Sequence, residues 1–235
     1  MFVLFVVAGF AAMLLAHTAP FPFLLEGLPS TRSQWQMPAR ERPTIYLTFD
    51  DGPNPTATPG VLDALAAQQA HATFFVIDKH LTEETAPIVR RMFAEGHAVG
   101  LHSDTRGHML MDPERLAAAL TAAADRIADL TGSRPCRAYR PHAGFRSGSM
   151  YAALSRIDYT LVGWGWMLWD WNWYRRPDPD VIVSRVARRA SPGDIVVMHD
   201  GHHEDPRADR LYAVEAIERL VPALRTRGFS FGTIC

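Results

Sequence analysis

A chain of 235 residues is long enough to bury one sizeable core, and 48% apolar with 21% charged residues is ordinary for a folded domain. Lysine plus arginine (24) nearly balances aspartate plus glutamate (25), and a net charge of −1 excludes wholesale attraction to nucleic acid or to an anionic surface. Two cysteines, Cys136 and Cys235, exclude a thiolate metal cluster and a multi-bridge scaffold; one bridge is open to them in an oxidising compartment, but two inert thiols are the expectation.

The chain begins with an almost wholly apolar stretch, Phe2 to Leu15, with no Lys or Arg before it. It falls short of the ~20 apolar residues that span a bilayer, and Pro20 and Pro22 interrupt its continuation. Residues 1–23 are therefore expected to be a signal or membrane-anchor segment, which implies export to the cell envelope or beyond and membrane association through that segment. Residues 24–42, with Pro29, Pro38 and the run Arg40-Glu41-Arg42, read as a linker, and residues 43–235 as one domain.

The domain opens on Ile45-Tyr46-Leu47-Thr48-Phe49, a buried-strand pattern that stops at Asp50-Asp51-Gly52-Pro53. Asp-Gly is also a hairpin signal, but three proline or glycine breakers follow, then a helix over 61–67 and no return strand. Further strands are predicted over 72–77, 98–101, 138–140, 159–162, 164–167 and 194–198, and Phe229-Ser230-Phe231 closes the chain. Helices fall between them, over 86–95, 112–130, 150–155, 181–190 and 212–227. Asp112-Pro113 has the form of an N-cap followed by proline at the first helical position. Alternating strands and helices predict an α/β fold with a parallel sheet and right-handed crossovers, and seven or so units suggest a barrel rather than an open sheet.

Four strand ends carry polar residues suited to hydrolysis: Asp50-Asp51, His102-Ser103-Asp104, Arg140 and His199-Asp200. A lone histidine at a strand end is more often a hydrogen-bonded structural residue. If the strands are parallel, however, all four ends share one face, where α/β folds place their sites.

These segments resemble the motifs of the polysaccharide deacetylase family (carbohydrate esterase family four, the NodB homology domain), in the family's order from about Pro43 onward. Thr48-Phe49-Asp50-Asp51-Gly52-Pro53 is similar to the first motif, Arg140-Pro141-His142-Ala143-Gly144 to the third, Asp170-Trp171 to the fourth, and the stretch ending Val197-Met198-His199-Asp200 to the last. The resemblance implies a distorted (β/α)7 barrel that hydrolyses acetyl groups from a glycan, with N-acetylglucosamine units as the expected substrate and a divalent metal, zinc, as the expected cofactor. It implies Asp50 as general base, His199 as general acid, Arg140 holding Asp50, and Asp170 orienting His199. Asp51 would bind the metal. Ala143 would supply a backbone oxyanion donor, and Trp171 and Val197 would line the acetyl pocket.

Two positions depart from the family pattern. Its second motif places two metal-binding histidines four residues apart; here His102 is followed by Arg106 at that spacing and by His108 at six. With the next helix starting at Asp112, residues 102–111 read as a loop in which Gly107 gives freedom, so that Asp51, His102 and His108 form the expected metal site. Otherwise Arg106, with its fixed charge, sits near the metal position. In the third motif His142 and Ala143 replace a family proline and aromatic residue. Of the aromatics Trp164, Trp166, Trp169, Trp171, Trp173 and Tyr174, two or three are expected in the core, and His202-His203-Glu204-Asp205 reads as a polar loop beside the site. Two rivals follow from these departures: a metal-independent amidohydrolase acting on a small C–N substrate, and an inactive glycan-binding relative.

Overall fold

The structure, a computed structural model, describes residues 3–9, 33–144, 146–167, 170 and 176–235. Eight strands lie side by side in the order β1 (Ser33–Gln34), β6 (Thr160–Val162), β5 (Ala138–Arg140), β4 (Ala98–His102), β3 (Thr73–Ile77), β2 (Thr44–Gly52), β8 (Ile195–His199) and β7 (Trp166–Met167). A ninth, β9 (Ser230–Phe231), pairs with the first residues of β2. Every ladder is parallel, and helices connect most of the strands. The expected barrel is thus present as a curled sheet whose path ends at β1 and β7.

Both faces of such a sheet are covered, which is why β2 is buried at all nine positions. Side chains alternate across the sheet. Ile45, Leu47, Phe49, Phe74, Val76, Val99, Leu101, Tyr139, Leu161, Val196 and Met198 join the large core under the helices. Tyr46, Phe75, Ala138, Val162, Trp164, Ile195 and Val197 form a smaller core inside the curl. Continuing the inner alternation by one step along β2, β4, β5 and β8 brings Asp50, His102, Arg140 and His199 to the mouth. The crossover helices are locally well specified. Asp112 caps the helix Pro113–Thr131 by accepting from Glu114 N–H at 2.8 Å, and Gly132 ends it in the left-handed region.

The opposite end, where the strands begin, is closed by the two flanks of the domain. Met37 and Ile234 belong to the inner core, and Ile234 N–H donates to Thr73 Oγ1 at 2.9 Å. Contrary to the expectation of two thiols, Cys136 and Cys235 are disulfide-bonded, because the C-terminal tail runs past the starts of β3 and β5 and brings the two Cα atoms to 6.3 Å. Residues 33–37, expected within a linker, are bound into the sheet: β1 pairs with β6, Gly163 N–H donates to the Gln34 carbonyl, and Met37 N–H donates to that of Gly193. Residues 3–9 are helical and exposed, and no helix among the described residues is long and apolar enough to cross a membrane.

Candidate active site

The mouth is organised by the end of β2, which runs through both aspartates rather than stopping before them. Asp50 is level with Phe75 of β3 and Gly52 with Val76, so Asp51 is an extra, bulged residue with φ 70°. Without the bulge, alternation would send Asp51 through the wall; with it, both carboxylates serve the same mouth. A left-handed non-glycine residue costs roughly 1–2 kcal/mol, and the surroundings hold it there. His80 Nδ1 donates to the Asp51 carbonyl at 3.2 Å, and Gly201 lies so close to that carbonyl that a Cβ would collide with it.

Asp50 faces Arg140. The guanidinium is fully buried and all of its nitrogens are engaged: Nη1 donates to Asp50 Oδ1 and Thr48 Oγ1, both at 2.7 Å, Nη2 to the Gly163 carbonyl at 2.9 Å, and Nε to that of Val162 at 3.3 Å. Its face lies 4.1 Å from the Phe75 ring centroid. A charge buried this deeply is tolerable only when paired and fully bonded.

Asp50 is also the ladder partner of His199 on β8. His199 Nδ1 donates to Asp170 Oδ1 at 2.8 Å and its backbone N–H to Oδ2 at 2.7 Å, while the Tyr212 hydroxyl donates to the Asp170 carbonyl at 2.6 Å. Burial alone would lower the His199 imidazole, but the carboxylates of Asp170 and, more weakly, Asp51 and Asp50 together outweigh it and raise the group to about 9. The ring therefore stays protonated at neutral pH and keeps its Nε2–H for another acceptor.

The other side of Asp51 has a different character. His102 Nδ1 donates to the Arg140 carbonyl at 2.7 Å, which leaves Nε2 pointed at Asp51 Oδ1, 3.2 Å away. In a neutral ring that Nε2 is a lone pair facing a carboxylate oxygen, an arrangement that needs a second proton or a cation between them. Burial opposes ionisation of Asp51, yet the imidazoles of His102, His199 and His142 hold its carboxyl well below the usual carboxylate range. Asp51, His102 and His142 each offer a ligand atom, all within 4.8 Å of one another. Asp51 Oδ1 and His142 Nδ1 are buried without a hydrogen-bond partner among the described residues. One carboxylate and two imidazoles suit Zn²⁺ or a similar divalent cation, so these residues fit a metal.

His108 lies elsewhere. Residues Arg106–Leu110 form a short 3-10 turn rather than a plain loop, and there His108 Nδ1 sits 3.0 Å from the Tyr139 hydroxyl. Arg106 is exposed. Ala143 has φ 52° in the turn His142–Gly144, immediately after β5. Val197 lines the inner core at 4% exposure, Trp164 is buried beside it, and Trp171, Trp169, Trp173 and Tyr174 lie outside the described residues. In the loop after β8, His202 Nδ1 accepts from the N–H groups of Glu204 and Asp205, and His203 packs on His142 with ring centroids 4.5 Å apart.

Three further residues support the groups at the mouth. Thr48 is simply the inward residue before Asp50. Tyr212 begins the helix Leu211–Thr226, remote in sequence from the Asp170 it supports. Asp200 accepts a hydrogen bond from the Thr58 hydroxyl, and burial pushes its carboxyl up to about 7.

Residues 38–162 match the family model described as polysaccharide deacetylase. The chain is 36% identical over 193 residues to a chitooligosaccharide deacetylase of Sinorhizobium fredii, covering 80% of this chain and 88% of the relative. It is 31% identical over 209 residues to a peptidoglycan-N-acetylglucosamine deacetylase of Bacillus cereus, covering 88% and 92%. Among solved structures, a family 4 acetyl xylan esterase from Clostridium thermocellum, in complex with a cobalt ion, superposes with a TM-score of 0.70 at 28% identity, covering 81% of this chain and 88% of that one.

Proposed function

Since the chain belongs to the polysaccharide deacetylase family, we propose that it hydrolyses N-acetyl groups from a glycan, with N-acetylglucosamine units of a cell-envelope polysaccharide or a chitin-like oligomer as substrate. The observation that carries this reading is the rung joining Asp50 to His199, with Arg140 behind one group and Asp170 behind the other. Amide hydrolysis needs a base to take a proton from water, a stabilised oxyanion, and an acid to protonate the departing nitrogen.

Asp50 is the base, aligned by its charge-assisted bond to Arg140. His199 is the acid and donates from Nε2 to the leaving amine, while Asp170 holds Nδ1–H and so fixes the ring. The backbone N–H of Ala143 is the oxyanion donor, and Val197 lines the wall against the acetyl methyl. A divalent cation, which we take to be zinc, held by Asp51 and His102, would acidify water and polarise the acetyl carbonyl.

The apolar start of the chain, together with a disulfide of the kind that persists in oxidising compartments, supports an exported protein, secreted or held at the membrane by residues 1–23. The test is acetate release by the purified chain from chitooligosaccharides and from peptidoglycan, with acetylxylan as the O-acetyl control. Release from an N-acetyl substrate supports the reading; release from acetylxylan alone would replace the amide with an ester.

A further inference from the structure

The metal side of the mouth differs from the family arrangement at two positions, and the structure links them. The residue four after His102 is Arg106, exposed on a 3-10 turn. The residue two after Arg140, where the family pattern has proline, is a histidine. We infer that His142, and not His108, is the third protein ligand of the cation, so that this chain draws from the end of β5 the imidazole its relatives draw from beyond β4. This rests on the metal-dependent reading above.

Register provides the first support. His102 and Arg140 are ladder partners on β4 and β5, and His142 follows two residues beyond that rung, at the start of the turn that leaves the strand. Its backbone N–H donates to Ser103 Oγ at 2.8 Å, which ties the ends of the two strands together. His142 thereby reaches Asp51 and His102 with a ligand atom within 4.8 Å of theirs, and its Nδ1 is buried without a hydrogen-bond partner among the described residues. A buried ring nitrogen normally finds a partner, and a cation would supply one. His203 packs against the same ring, with centroids 4.5 Å apart.

His108 is held away from the site. Its Nδ1 bonds the hydroxyl of Tyr139, and Tyr139 belongs to the outer core between sheet and helices, not to the inner one. His108 is not among the residues whose ligand atoms come within 4.8 Å of one another, and bringing it in would break that bond. The two sequence changes are therefore complementary: loss of the histidine at 106 is offset by gain of one at 142.

The assignment is tested on the purified chain, stripped of metal and titrated with Zn²⁺ and Co²⁺ in competition with a chromophoric chelator, with cobalt's visible absorption as a second readout. His142→Ala should weaken binding by roughly 100-fold or more and alter the cobalt spectrum. His108→Ala should stay within about threefold, the size expected where no metal ligand is removed. His142→Gln, which keeps the bulk of the side chain, guards against a folding defect and should behave as His142→Ala does. Loss of binding in His108→Ala with retention in both His142 variants would overturn the assignment, as would equal losses at the two positions. Acetate release by the parent chain is scored separately. If it is absent while the binding pattern holds, the proposed activity fails and the ligand assignment stands.

Discussion

The two ends of the barrel are built from opposite materials. At the mouth, where the strands finish, Asp50, Asp51, His102, Arg140, Asp170 and His199 are packed into a small volume, one of them in a left-handed backbone conformation. At the floor, where the strands begin, Met37 and Ile234 fill the inner core and a disulfide ties the tail to the approach to β5. Parallel strands make this separation possible, since all starts lie at one end and all finishes at the other. The lesson is that chemistry and cohesion occupy different ends, so that changes at the mouth should alter turnover and changes at the floor should alter melting.

The sharpest test of that division is Asp50→Asn. Loss of the base should reduce kcat by roughly 10³-fold while moving KM little. Every Arg140 donor still has an acceptor in Thr48, Val162, Gly163 and the new amide, but the buried guanidinium loses its counter-charge, so the melting temperature should fall as well and kcat is scored per folded molecule. Retention of kcat within tenfold would remove Asp50 as the base.

The floor should show the reverse. Replacing Cys136 and Cys235 by serine opens a bridge between residues 99 apart, which on chain-entropy grounds costs about 4–5 kcal/mol of stability. Denaturant titration should show that loss, with kcat per folded molecule unchanged. A drop in kcat without a drop in stability would mean that the ends are coupled.

Next in size is Asp170→Asn, expected to lower kcat/KM about 100-fold at neutral pH and to move its alkaline limb. In the parent protein His199 must be protonated to act, so activity should fall as pH rises through about 9. Without the carboxylate that limb should shift downward, and a limb that stays in place would separate Asp170 from the acid. The same elevation has a stability consequence. A histidine raised from 6.5 to about 9 on folding contributes stability that is complete below about 6.5 and is lost as pH rises through about 9. Smallest is Tyr212→Phe, which removes the hydroxyl that donates to the Asp170 carbonyl and accepts from Arg210 Nη1, and should cost about 1–2 kcal/mol of stability, with a slight fall in kcat.

Much of the mouth was legible in the sequence because parallel strands announce themselves as apolar runs and their last inward residue is then a polar exception. Asp50, His102, Arg140 and His199 are all of that kind. The same logic could not reach His142, which follows Pro141 in a turn where alternation gives no guidance, and so His108, closer to the expected spacing, took its place in the expected site. Tyr212 and Asp170 meet only because a C-terminal helix packs back over the mouth. The cysteine pair was unreadable for a similar reason: whether residues 136 and 235 approach each other depends on where the tail ends up, not on any local pattern. β1 is two residues long and its polar sequence, Ser33-Gln34, carries no strand signal.

The rung between Asp50 and His199 has one more implication. The two side chains that would exchange protons with the substrate are spaced by a backbone hydrogen-bond ladder, whose interval of about 4.8 Å is common to all sheets. Their spacing is thus insulated from the loops at the rim, which are free to be lengthened, shortened or recomposed for a different sugar chain without retuning the proton-handling pair.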